Sequence, residues 1–107
     1  MSQTVYLDEL FAQIEARRGA PVEESYSAQL LADLPRAARK LGEEAVEALT
    51  AALAGGEEEL VGEAADVLYH LLVVLAARNV SLDDVMGELA RRQGRSGLVE
   101  KAQRGKA

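Results

Sequence analysis

Two adjacent glycines, Gly55 and Gly56, separate two stretches that read almost alike: "LGEEAVEAL" at residues 41–49 and "LVGEAADVL" at residues 60–68. A glycine pair stops a helix, because it offers no side chain to pack and loses the most backbone freedom on being ordered. Each flanking stretch carries apolar residues at helical spacing. The chain is therefore committed to two consecutive helices joined by a short link, which favours antiparallel neighbours. The repeat is in register: Leu41 matches Leu60, Glu44 matches Glu63, Ala45 matches Ala64, Glu47 matches Asp66 and Leu49 matches Leu68. Two acidic pairs thus stand in the same phase on successive helices.

The rest of the sequence supports an all-α fold, a bundle of four main helices in a single domain over residues 1–107. A first helix is expected from Val5 to Arg18, with Thr4 as its N-cap and Leu7, Leu10, Phe11 and Ile14 on one face. Residues 19–29, "GAPVEESYSAQ", read as a loop. The second helix is expected to start near Pro35 and run to Ala54, with an apolar stripe of Leu41, Ala45, Ala48, Leu49 and Ala52. The third runs from Glu57, where three glutamates suit the positive end of the helix dipole, to about Asn79. The fourth opens at Ser81, with Asp84 near the capping-box position, and closes at Gly94. Aromatic residues make up only 4% of the chain, so the core must come from Leu, Val and Ala. From Val67 onward the third helix is apolar nearly all round, which calls for cover on several sides. Homodimerisation would complete that core, and Tyr69 would lie at the interface.

Charge and composition narrow the function. The net charge of −6 combines +5 over residues 91–107 with −11 over the rest. An acidic body is ill-suited to nucleic acid, where affinity rests on neutralising phosphates; the basic end could still hold one small polyphosphate. The absence of cysteine excludes disulfides and thiolate metal sites. No basic start followed by an apolar run marks a signal peptide. The apolar run at residues 67–77 reads as too short to span a bilayer. No nucleic acid and no membrane are expected, and the location is read as cytoplasmic.

With Leu41 set at zero, the apolar stripe centres near about 30°, with Glu44 near 300° and Glu47 near 240°. Glu63 and Asp66 take the same angles about Leu60. Helices packed through their stripes would let the two pairs face one another across a groove. Four converging carboxylates repel unless cations join them. Oxygen ligands alone favour a hard ion, Mg²⁺ or Mn²⁺, which leaves positions for water and phosphate oxygens and so suits phosphoanhydride hydrolysis. Glu43, further round, is a supporting or alternative ligand. Lys40 can bridge Glu44 or meet a phosphate. His70, on the same flank, reads as a packed helix histidine hydrogen-bonded to an acidic neighbour, with base and ligand roles also open.

The string "EEAVE", fifteen residues and then "EAAD" resembles the EExxE…ExxD signature of the all-α nucleotide pyrophosphohydrolases, the MazG-like superfamily. More specifically, "KLGEEAVEAL", "ELVGEAADVLYHLLVVLAARNVSLDDV" and "ELARRQGRSGLVEKAQR" resemble the phosphoribosyl-ATP pyrophosphohydrolases of histidine biosynthesis. "SYSAQLL" fits that family's "SYT" region, with Ser27 in place of Thr. The resemblance implies an all-α homodimer that hydrolyses phosphoribosyl-ATP to phosphoribosyl-AMP and pyrophosphate with Mg²⁺. It implies Glu44, Glu47, Glu63 and Asp66 as metal ligands, with Glu43 beside them. Glu44 or Glu47 would serve as general base. On resemblance and charge together, Lys40, Arg92, Arg95, Lys101, Ser25 and Ser27 are candidates for phosphate contacts. A housecleaning nucleoside triphosphate pyrophosphatase needs only the acidic pairs, and a non-enzymatic helical dimerisation module needs neither the pairs nor the basic end.

Overall fold

The computed structural model describes residues 5–94, 101 and 104, apart from the side chain of Val5. Among residues 5–94 five helices follow in order: α1 Val5–Ala16, α2 Tyr26–Leu31, α3 Leu34–Ala54, α4 Glu57–Ala77 and α5 Leu82–Arg92. No strand occurs among the described residues. Thr4 and Arg95 lie outside them, and Lys101 is described only as helical and exposed.

Local chemistry sets the ends. The side chain of Asp33 accepts from the backbone N–H of Arg36, and Pro35 sits in the first turn of α3, where its missing N–H costs nothing. Gly55 ends α3; a Cβ there would come within 3.0 Å of the Ala51 carbonyl oxygen and 2.8 Å of a Glu59 carboxylate oxygen. Its partner Gly56 starts α4, whose first turn holds Glu57, Glu58 and Glu59. At the other end of α4, Asn79 takes a left-handed φ of 57°, and the Val80 N–H reaches back to the Leu75 carbonyl at 2.9 Å. That reversal satisfies carbonyls the helix leaves open. Arg18 donates to the Ala76 carbonyl at 2.8 Å, adding a cation at the negative end of the same helix. Ser81 caps α5 through the Asp84 N–H.

α3 and α4 form the antiparallel hairpin and share the most extensive contact in the fold. α1 and α2 pack on α4. The core gathers Phe11 and Ile14 from α1, Leu30 from α2, Ala37 from α3, Leu72, Val73 and Ala76 from α4, and Leu82 from α5. The C-terminal half of α4 is thus the centre of the fold. By length and hydropathy α4 could cross a membrane, since the apolar run belongs to a 21-residue helix. Within the fold this helix is the central one.

Two further differences from expectation bear on the site. Residues 26–29, expected as the end of a loop, instead belong to α2, capped by the Ser25 hydroxyl through the Ala28 N–H. Six residues are too few to display helical periodicity in a sequence. Second, α3 does not bury its apolar stripe as a whole. Its buried positions are Ala37, Glu44 and Ala51, two turns apart on one line. Of the stripe, Leu41 and Ala48 are half-buried, while Ala45, Leu49 and Ala52 stand exposed. The seam between the helices therefore takes in Glu44, and most of the apolar stripe is turned outward. On α4, Leu60, Val61, Leu68 and Leu71 are likewise exposed. In an antiparallel pair, helix geometry places these residues on the same side of the hairpin as Val46, Leu49 and Leu53 of α3.

Candidate metal centre

Glu44 of α3 and Glu63 and Asp66 of α4 each offer a carboxylate oxygen, and these oxygens lie within 4.8 Å of one another. Glu44 is buried, Glu63 half-buried and Asp66 exposed, so the cluster rises from the interhelix seam to the surface. The repeat explains the convergence: equivalent positions of the two 21-residue helices meet across a hairpin whose link is two glycines. The Glu47 carboxyl lies against both Glu44 and Glu63. All four members of the acidic pairs are therefore together.

Their electrostatics are those of a site short of positive charge. Desolvation raises the Glu44 carboxyl above the usual carboxylate range, helped by a hydrogen bond to Glu47 and the charges of Glu47 and Asp66. Glu63 is raised as well, by desolvation and then by Glu47, Asp66 and Glu44. Glu63 Oε2 is buried without a hydrogen-bond partner, which is uncommon for a carboxylate oxygen. A divalent cation among these oxygens would answer both features. The donor set, all carboxylate oxygen, fits a hard ion such as Mg²⁺ or Mn²⁺.

The surroundings divide the remaining candidates. Lys40 Nζ lies 3.4 Å from Glu43 Oε1 and 3.8 Å from Glu44 Oε1, so it borders the cluster. Its hydrogen bond to Glu43 raises its pKa, so the ammonium is held charged. Glu43 also lies 3.9 Å from Arg39 and is exposed on the outer side of α3. Buried His70 has Nδ1 2.8 Å from the Asp66 carbonyl oxygen and Nε2 3.2 Å from the Tyr26 hydroxyl. The carbonyl can only accept, so Nδ1 carries the proton and, in the neutral ring, Nε2 accepts from Tyr26. The histidine is packed and hydrogen-bonded, but to a phenol and a backbone carbonyl in place of the acidic side chain expected. The Ser25 hydroxyl caps α2, and Ser27 pairs with the Tyr69 hydroxyl at 2.5 Å. Half-buried Tyr69 also packs within the chain, against Tyr26 and His70. Arg92 donates to Glu88 at 2.9 Å on α5. A separate hollow of about 240 Å³ between α1 and the start of α5 contains none of the candidate residues.

Sequence reasoning passed over Tyr26 and Arg36. The Arg36 guanidinium lies 6.0 Å from the Tyr26 ring centroid and donates to Gln29 Oε1 at 3.3 Å. Both residues depend on α2, whose presence the sequence did not signal; the only available hint was the "SYS" stretch itself.

Comparison with known proteins agrees with this geometry. The family model described as phosphoribosyl-ATP pyrophosphohydrolase matches residues 7–93. The chain is 57% identical over 101 residues to a phosphoribosyl-ATP pyrophosphatase from Ruegeria pomeroyi, spanning 94% of this chain and 96% of that protein. It is 59% identical over 100 residues to one from Erythrobacter litoralis, spanning 92% and 96%. A third, from Cereibacter sphaeroides, is 57% identical over 100 residues, spanning 92% and 97%. With the acidic hairpin at its centre and the family's match running from α1 through α5, this chain is an enzyme of the phosphoribosyl-ATP pyrophosphohydrolase family.

Proposed function

We propose that this enzyme hydrolyses phosphoribosyl-ATP to phosphoribosyl-AMP and pyrophosphate, the second step of histidine biosynthesis, with Mg²⁺ as cofactor. The observation that carries the reading is the meeting of Glu44, Glu63 and Asp66 in one cluster, with Glu47 against it. Glu44, Glu63 and Asp66 would hold the ion. When bound, it screens the phosphates and acidifies water. Lys40, beside the cluster, neutralises phosphate charge. Glu47 and Glu44 are the carboxylates suited to take the proton from the attacking water. Water adds across the α–β anhydride, whose P–O bond breaks, and pyrophosphate leaves.

The exposed apolar side of the α3–α4 hairpin supports a homodimer, because a second copy would cover residues the protomer leaves bare. A cytoplasmic location suits a cysteine-free biosynthetic enzyme. The test is pyrophosphate release from phosphoribosyl-ATP with and without Mg²⁺, beside a panel of nucleoside triphosphates. Metal-dependent turnover of phosphoribosyl-ATP is expected, with far slower turnover of the triphosphates. Preference for the triphosphates would move the protein to the housecleaning class, and no turnover of any of them by folded protein would remove the catalytic reading.

A further inference from the structure

Arg36 is a half-buried cation for which, among the described residues, no carboxylate lies within ion-pair distance. It is nevertheless held in place. Its Nη1 donates to Gln29 Oε1 at 3.3 Å, and Gln29 is fixed in turn by donating to the Val22 carbonyl at 2.8 Å. The guanidinium stands over the Tyr26 ring, whose hydroxyl meets His70 Nε2 at 3.2 Å. A guanidinium oriented by a neutral amide and an aromatic face keeps further N–H donors in a planar fork, the arrangement that grips a phosphate oxyanion. Arg39 and Lys40, by contrast, already have Glu43 as counter-ion.

Position gives the ligand class. Arg36, Lys40 and Glu44 follow at four-residue spacing on α3, so Arg36 lies about 12 Å along the helix from the carboxylate cluster. A substrate whose anhydride sits at the carboxylates would present its far end there. Phosphoribosyl-ATP differs from ATP in carrying, on the adenine, a second ribose that ends in a phosphomonoester. We propose that Arg36, oriented by Tyr26 and Gln29, is the subsite for that terminal phosphomonoester and the residue by which the enzyme discriminates phosphoribosyl-ATP from ATP. This rests on the functional reading above.

The test compares wild-type enzyme, Arg36→Met and Arg36→Lys on phosphoribosyl-ATP and on ATP, with ribose 5-phosphate as competing probe. Arg36→Met should lower the ratio of the two kcat/KM values by roughly ten- to hundredfold, the worth of hydrogen bonds to a charged group. The loss should be carried by KM for phosphoribosyl-ATP, and inhibition by ribose 5-phosphate should weaken with it. Arg36→Lys keeps the charge without the fork and should fall between; it also decides the matter if the methionine variant does not fold. An equal loss on both substrates, or no loss in active enzyme, would overturn the subsite alone. Wild-type enzyme inert on phosphoribosyl-ATP would overturn the functional reading and the subsite with it.

Discussion

Replacing Leu49 by glutamate asks whether the outward apolar side of the hairpin is a contact between subunits. Leu53 is 81% exposed, Val61 70%, Val46 61% and Leu49 60%, with Leu60, Leu68 and Leu71 exposed by about two-fifths. Together these amount to about four whole side chains, which at roughly 1.5–3 kcal/mol each is about 6–12 kcal/mol per protomer on complete cover. Two protomers double that figure, against roughly 4–15 kcal/mol for lost freedom on association. At the midpoints about 8 kcal/mol is left, so a dimer at micromolar concentration is the expected outcome. Leu49→Glu sets a carboxylate on the contact in both copies; at roughly 3 kcal/mol for each desolvated charge, Kd rises by about four decades. Sedimentation velocity should show wild-type dimer and Leu49→Glu monomer. Circular dichroism should show equal helicity, because Leu49 contributes nothing to the protomer's own core. A monomeric wild type, a dimeric variant, or a variant that loses its helices would each refute the reasoning.

Glu44 and Glu63 have raised folded pKa values, so metal-free protein binds more protons folded than unfolded between the usual carboxylate value and the raised ones. Stability from these groups is full below that window and is lost as pH rises through it; Glu44→Gln should flatten the slope in pH-dependent melts, and an unchanged slope would contradict the assignment. Mg²⁺ competes with those protons, so it should raise Tm more at pH 8 than at pH 5; a shift independent of pH would place the ion elsewhere. Arg91 and Arg92 hold the Glu88 carboxyl down to about 2, so the stabilisation of α5 it supplies is full above the ordinary carboxylate range and is lost as pH falls from there toward about 2, a loss that Glu88→Gln would abolish in acid titrations. Leu30 is fully buried, and Leu30→Ala should cost about 2–5 kcal/mol in denaturant unfolding, with a loss under 1 kcal/mol counting against its place in the core.

Much of the site was legible because it is built from local signals. The glycine pair, the proline at the start of α3 and the serine cap of α5 act within a few residues, and each lies where expected. The phase of Glu44, Glu47, Glu63 and Asp66 is a matter of helix arithmetic alone. What periodicity could not decide was which side of α3 faces α4. Apolar residues ordinarily claim the buried side, yet Glu44 lies buried there while Leu49 looks outward. A single chain can bury only one side of α3, and a sequence does not say which of two partners, its own next helix or another copy, takes the apolar one. Tyr26 and Arg36 escaped notice for a different reason: their partners His70 and Gln29 are brought to them by α2, and sequence spacing carries no trace of that packing.

The two-glycine link between α3 and α4 has a consequence for the order of events as the chain folds. All the clustered carboxylates come from one contiguous stretch, residues 44–66, so closing the hairpin fixes few residues and proceeds through near neighbours. Joining α1 to the end of α4 spans far more chain, as Arg18 and Ala76 are 58 positions apart. The acidic hairpin can therefore zip before the core closes. It would then present its bare apolar side early and leave the proposed pairing of two chains, which depends on concentration, as the slow final act.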